Sequence, residues 1–403
     1  MATPARHSSL PPFGALAPGT AASGPMTGSG PGAVDVEVLH GTEGWSALQD
    51  AWRALYDVSR AEPSSACGWA QAVAEHWVDR PEAVRTIVLR RGATLVGVVP
   101  LLLAADVRTH RQLTPLAEAF TTHSDWLVAE ASPAVAAAFA AGVEDLDLGW
   151  DRLRMVRVPD HHPFLPLAVA ALEQRGFACA VRASSASYRL DLPRTYDAYL
   201  DARSAKFRNH LRRVEKRLAA SASIAQVAGV GAAAEVDRLV DDALAVERAS
   251  WKQAGGVSIA ADARAAAFWR AVCRHAGARG HLHLQVLRVG TRPVAYNLGI
   301  LRRGRYSYIK TTTRADALAS GAATYLRARL VDDLIARGAS MLDFAGEPGA
   351  WEHQWTHDRL PRSTLTVFAP TVRGRALRWY ERLRHGTAPP PWASPSPADP
   401  RAD

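Results

Sequence analysis

Asp343 and Glu347 are the carboxylates best placed for proton transfer. They lie at and just beyond the C-terminal end of a short apolar run that reads as a strand, where sites in α/β folds commonly open. Either can receive a proton from an amine, directly or through water. Equally, Asp343 can cap a loop and Glu347 can be solvated. Tyr308 and Lys310 alternate along an earlier strand-like run and are expected on one face of it, lining a cleft. A tyrosine on a half-buried strand is also ordinary packing. Between that run and the next helical segment stands Ala319-Ser320-Gly321-Ala322-Ala323-Thr324. Small residues let a ligand approach the backbone, and the free N–H groups and positive dipole end of a following helix suit a diphosphate. A turn with small residues kept for packing has the same letters.

Other chemistry is thinly represented. Arg203, Lys206, Arg208, Arg212, Arg213, Lys216 and Arg217 crowd one segment whose Phe207, Leu211, Val214 and Leu218 form an apolar seam. That pattern is a basic amphipathic helix: a solvated face, or a platform for an anion such as a phosphorylated acceptor, an aminoacyl-tRNA or the CoA 3′-phosphate. Its single aromatic lies on the seam, unlike the interleaved aromatics of single-strand binders, so no DNA-binding module is expected. Arg248 and Trp251 stand three apart and should share a helix face, with Trp251 available for packing or for an acceptor cleft. No GxSxG elbow is present. Cys67, Cys179 and Cys273 are scattered, and His161 and His162 are adjacent and cannot easily face one ion. No metal site is expected.

The elements that must position these residues follow from the pattern. The 403 residues suffice for two domains, and a 48% hydrophobic share with 22% charged residues fits a globular protein. No apolar run reaches the length of a membrane span, and no secretory leader is evident, so a cytoplasmic protein is expected. The net charge of +9 rests almost wholly on arginine, since Lys206, Lys216, Lys252 and Lys310 are the only lysines. Such a balance favours anionic partners without choosing among them. Residues 1–33, rich in Pro, Gly, Ala and Ser, and the tail 386–403 are expected to be disordered, with Met26 a candidate start. Intact-mass measurement on native protein showing residues 1–25 present would reject that start.

Between these ends, strands alternate with helices, which predicts α/β architecture. The spacing predicts a strand at 34–39, helices at 45–58 and 68–78, a hairpin over 85–103 turning at Arg91-Gly92, a strand at 153–158 and a helix at 166–174. The second half predicts the basic helix, helices over 234–252 and 263–278, and strands at 282–289, 293–301 and 305–312. A helix over 323–336, strands at 340–344 and 363–368, and a last basic helix follow. Aligned without gaps, 85–102 and 283–300 share Val88 with Val286, Leu89 with Leu287, Arg90 with Arg288, Gly92 with Gly290 and Val96 with Val294. The later elements repeat in order too, which suggests a duplicated unit: one lobe over 34–192, the other over 193–385. The turn corresponding to Gly321 in the first half is Ala131-Ser132-Pro133-Ala134, which has no glycine and lacks one donor.

Read together, these segments resemble the GNAT-superfamily acyltransferases of the CelD (cellulose-biosynthesis) type, relatives of the FemX-like peptidoglycan aminoacyltransferases. The resemblance spans 34–370 and rests on Cys67-Gly68-Trp69, 95–101, Ser124-Asp125-Trp126-Leu127, 204–208, Arg248-Ala249-Ser250-Trp251, 306–310 and Leu342-Asp343-Phe344-Ala345-Gly346. It implies two tandem GNAT-like lobes, each a mixed central sheet flanked by helices, with the first lobe's cofactor site lost. It implies acetyl-CoA or another acyl-CoA as co-substrate, gripped by Ser320, Gly321, Ala322, Ala323 and Thr324. An amine of a small-molecule or saccharide acceptor would attack the thioester directly; a hydroxyl acceptor is possible on the same scaffold. Asp343, Glu347, Tyr308 and Lys310 become candidate catalytic residues, strand amides near 309–312 candidate oxyanion donors, and Lys206, Arg208, Arg248 and Trp251 candidate substrate contacts. Where the family usually has a Tyr-Lys pair after Asp-Phe-Gly, this chain has Trp351-Glu352. That change removes an acidic hydroxyl and reverses a charge, which leaves open a different acceptor or a non-catalytic binding role. An aminoacyl-tRNA donor is the other alternative.

Overall fold

The computed structural model describes residues 33–104, 110–116, 123–218, 220–256, 258–346, 349 and 351–386. The N-terminal extension, the tail beyond 386 and Glu347 therefore lie outside the described residues. The chain begins with β1 (Asp35–His40), α1 (Trp45–Val58), α2 (Cys67–Trp77), β2 (Val84–Arg91), β3 (Thr94–Ala104), β4 (Gln112–Pro115) and β5 (Leu127–Val128). Next come α3 (Pro133–Glu144), β6 (Arg152–Pro159), α4 (Phe164–Gln174) and β7 (Ala178–Asp191). The second half runs α5 (Tyr196–Asp201), α6 (Ala205–Leu218), β8 (Ala222–Ala228), α7 (Ala233–Arg248), α8 (Trp251–Ala254), α9 (Ala263–Ala278), β9 (Leu282–Val289), β10 (Arg292–Arg302) and β11 (Arg305–Thr313). It ends with α10 (Ala322–Ala336), β12 (Met341–Asp343), β13 (Arg359–Phe368) and α11 (Val372–His385). No helix among the described residues is long and apolar enough to cross a membrane.

Two compact units result. The first takes the chain up to residue 70, then 78–185, and again from 361 onward; the second takes 71–77 and 186–360. In the first, β1, β2, β3 and β4 pair antiparallel in turn, β4 pairs parallel with β6 after the α3 crossover, and β13 closes antiparallel on β6. In the second, β8, β9, β10 and β11 pair antiparallel in turn and β11 pairs parallel with β12 after the α10 crossover. The last three residues of β7 close that sheet antiparallel on β12. The two strand orders are the same, so the duplication read from the hairpins extends to the whole topology. Gly92 and Gly290, paired in the ungapped alignment, both take left-handed conformations at their hairpin turns, with φ of 57° and 60°.

The segment from 361 onward is where the units depart from a division at 192/193. Leu365, Val367 and Ala369 pack into the first unit's core with Phe139, Phe164 and Leu172. Burying that strand's apolar face against β6 decides its place, whereas sequence order put it in the second lobe. The second unit's core gathers Tyr188, Leu190, Leu211, Tyr306, Tyr308, Leu330, Leu334, Phe344 and Trp355. Gly299 makes room there: a Cβ at that position would collide with the Tyr306 ring.

Candidate functional site

Strand β11 carries two of the candidate residues, Tyr308 and Lys310. It pairs with β12 over three residues only, Arg305 to Met341, Tyr306 to Leu342 and Ser307 to Asp343. There β12 ends, while β11 continues to Thr313 beside β10. Beyond Ser307, β11 thus has no β12 partner among the described residues.

A bulge in β11 alters the expected arrangement. Leu298 pairs with Lys310 but Gly299 pairs with Tyr308, so Ile309 is an extra residue on β11. An inserted residue shifts the alternation, and Tyr308 and Lys310 therefore face opposite sides of the sheet rather than one cleft wall. Tyr308 donates its hydroxyl hydrogen to Asn297 Oδ1, stacks on Phe344 at 6.0 Å and meets Trp351 edge-on at 6.2 Å. Asn297 in turn donates to the Leu326 carbonyl of α10, which identifies that face. Burial pushes the Tyr308 hydroxyl pKa up, against the pull of nearby Arg327.

Lys310 lies on the α7 and α9 side, its Nζ 5.5 Å from the centre of the Trp269 ring. Loss of solvent, joined by repulsion from Lys252 and opposed by Glu247, brings its pKa down to about 8. Glu247 is fully buried. It accepts from the Tyr296 hydroxyl at 2.5 Å, from Lys252 Nζ at 3.4 Å and from the Ile259 amide at 3.3 Å. Lys252 also donates to the Thr311 carbonyl at 2.7 Å. Glu247 and Lys252 flank the 248–251 segment, but Tyr296 lies 49 residues beyond Glu247 and only the fold brings it to them.

The expected single helix over 234–252 breaks before Trp251. Ser250 bonds back through its amide and hydroxyl to the Glu247 carbonyl, and its oxygen accepts from the Lys252 amide to start α8. Arg248 and Trp251 therefore do not share a continuous helix face, and Trp251 is 59% exposed rather than packed in a core. Lys206 is exposed on the first turn of α6. Arg208 is spent on structure, donating to the carbonyls of Leu200, Asp201 and Arg203.

Gly321 caps α10 in the left-handed conformation, with φ of 82°. A Cβ there would stand 2.8 and 2.9 Å from the Val214 methyls. Ser320 Oγ accepts from the Ala322 amide at 3.2 Å, and Arg217 of α6 donates to the carbonyls of Ala319 and Ser320 at 3.1 and 3.4 Å. A glycine-fitted helix start with a guanidinium at its side has the donors and charge that a diphosphate needs. Ala322 is buried, and Ala323 and Thr324 are half-exposed in the first turn. The first unit's counterpart differs: Ser132 Oγ occupies the Val135 amide and Pro133 begins α3.

Asp343 is fully buried and well supplied with donors. Ser187 Oγ and the Ala345 amide reach Oδ1 at 3.0 and 2.8 Å, and Arg305 reaches Oδ2 at 2.6 Å.

Residues 205–354 match the family model of an acetyltransferase (GNAT) domain. Solved structures are similar across most of the chain. FemX superposes with a TM-score of 0.58 at 10% identity, covering 85% of this chain and 99% of that one. The C-terminal domain (DUF2156) of a putative lysylphosphatidylglycerol synthetase from Agrobacterium fabrum gives 0.52 at 12% identity, covering 85% and 98%. L-PGS from Bacillus licheniformis gives 0.50 at 11% identity, covering 84% and 97%. At such identities the likeness shows the fold. Comparison with curated proteins finds no match. The chain thus carries a GNAT-type acyltransferase fold in its second unit.

Proposed function

We propose that the second unit transfers an acyl group from acyl-CoA to an amine, as in the CelD-type acyltransferases that the sequence resembles. The observation that carries this reading is Gly321: a left-handed helix start, beside Arg217, inside the segment matched by the GNAT model. Residues Ser320 to Thr324 hold the diphosphate of the bound donor, and Arg217 adds charge. Acyl-CoA supplies an activated thioester; the unpaired edge of β11 supplies amides for the developing oxyanion.

Lys310 is the proton carrier in this scheme. With a pKa near 8, a useful fraction is neutral at physiological pH. The neutral amine takes the proton that an acceptor ammonium must lose before attack. As the C–N bond forms and the C–S bond breaks, the Lys310 ammonium returns its proton to the sulfur, and the second proton of the acceptor nitrogen leaves to water as the amide forms. Asp343, fixed by Arg305, orients the end of β12 instead.

Titration calorimetry with acetyl-CoA tests the reading. Gly321→Asp should weaken affinity by about tenfold or more, since a carboxylate would face the diphosphate. Unchanged affinity would defeat the proposal. A second reading, an aminoacyl-tRNA donor, draws on the likeness to FemX and on the exposed Arg212, Arg213 and Lys216 of α6. Stabilisation by charged tRNA, with none by acetyl-CoA, would favour it.

A further inference from the structure

Arg327, one and a half turns into α10, is only 6% exposed. Among the described residues Arg85, Arg157 and Arg362 are buried to a similar degree. Each of those has an oxygen on its guanidinium: Asp147 at 2.7 Å, Ser185 at 2.7 Å, and the Arg157 carbonyl at 3.3 Å with Glu62 at 3.6 Å. Arg327 has no ion pair among the described residues, and its Nε is buried without a hydrogen-bond partner. Its company is aromatic. The guanidinium carbon stands 3.9 Å from the centre of the Trp351 ring and 5.5 Å from that of Trp355. Phe344 packs edge-on against Trp351 at 5.5 Å.

A buried guanidinium that meets the Tyr308 hydroxyl but no carboxylate keeps its charge uncompensated, which is costly. Stacking and the Tyr308 hydroxyl recover part of that cost but supply no negative charge. We propose that Arg327 is a receptor for a carboxylate carried by the acceptor substrate, whose apolar body packs on Trp351, Phe344 and Tyr308.

Charge balance selects a carboxylate over a phosphate. One guanidinium matches one negative charge and offers a fork for two oxygens. Glu352 feels the Arg327 charge; it is buried, accepts from the Gly349 amide at 2.9 Å and forms no ion pair with Arg327 among the described residues. Burial raises the Glu352 carboxyl pKa, so that side chain tolerates a monoanion next to it better than a dianion. Beyond Ser307, β11 has no β12 partner among the described residues. The substrate class is therefore an amino acid or a related amine with a carboxylate and an apolar side. Calling the carboxylate a substrate's rests on the transferase reading; the presence of the receptor does not.

The test uses the full chain without CoA and three probes: phenylacetate, phenylacetamide and phenyl phosphate, read by thermal shift and calorimetry. Phenylacetate should stabilise the wild type in a saturable way, and the uncharged amide should bind about tenfold more weakly or worse. Arg327→Met, which keeps the volume, should erase the difference between acid and amide. Equal binding of acid and amide by the wild type, no binding of the acid, or tighter binding of phenyl phosphate would each overturn the proposal. So would Arg327→Met that lowers the melting temperature yet keeps the acid–amide difference, since that marks a mere staple between tryptophans. Because no probe contains CoA, failure here is distinguishable from failure of the donor site.

Discussion

Tyr308 and Lys310 are two residues apart on β11 yet lie on opposite faces of the second unit's sheet, because Ile309 is inserted between them relative to β10. The tyrosine joins the aromatic core under α10, and the lysine joins Trp269, Lys252 and Glu247 under α7 and α9. The proposed proton carrier and an aromatic side chain of the core thus come from one short stretch without competing for space.

The lysine predicts a pH profile. Lys310 acts as a base only when neutral, and its pKa lies near 8. Amine acylation, measured as thiol release from acetyl-CoA, should rise with pH to about 8 and then level off. Lys310→Met should lower kcat by about 10²-fold or more and remove that rise. Retention of the alkaline limb in the variant would assign the proton to another group.

Gly321 predicts a backbone effect separate from ligand binding. Its φ of 82° is unfavourable for any residue with a Cβ, and Val214 fills the space that a Cβ would take. Gly321→Ala should cost about 1–2 kcal/mol from the left-handed conformation alone, with more from the contact. Urea unfolding of the variant without CoA measures it.

Much of this framework could be read in the letters. Trp45, Leu48, Trp52 and Leu55 define α1 by their spacing, and Gly92 and Gly290 mark the two hairpins, because those signals are local. Gly321 was visible for the same reason. The bulge at Ile309 was not, since register is decided by the partner strand. Nor was the break before Trp251, where Ser250 bonds back to Glu247 and ends α7 earlier than helix periodicity implied. Tyr296 is brought to Glu247, and Arg327 to Trp351, by tertiary packing that sequence spacing does not announce.

Ala345 predicts a stabilising change. It is a buried alanine held at φ of 58°, its amide bonded to Asp343 Oδ1 at 2.8 Å. The left-handed conformation costs alanine about 1–2 kcal/mol, and glycine gives back about 0.5–1 in unfolded-chain entropy. Ala345→Gly should therefore raise stability by about 0.5–1 kcal/mol, read from the midpoint of denaturant unfolding. A drop in stability would mean that the methyl group's packing outweighs the strain.

Asp333 predicts the acid side of the stability curve. Burial works against its charge, but His283 at 2.8 Å and Arg337 at 2.7 Å hold its carboxyl well below the usual range. A carboxyl whose pKa is depressed by folding contributes stability that is fully present above the unfolded value, about 3.9. That contribution drains away as pH falls through the folded value. Asp333→Asn leaves the buried His283 ring without its anionic partner, so it should cost about 1–3 kcal/mol at pH 7. The gap between variant and wild type should close as both approach acid unfolding. Melting temperatures from pH 7 down to pH 3 check this, and a gap that stays constant with pH would show that the His283 contact, rather than the charge, carries the effect.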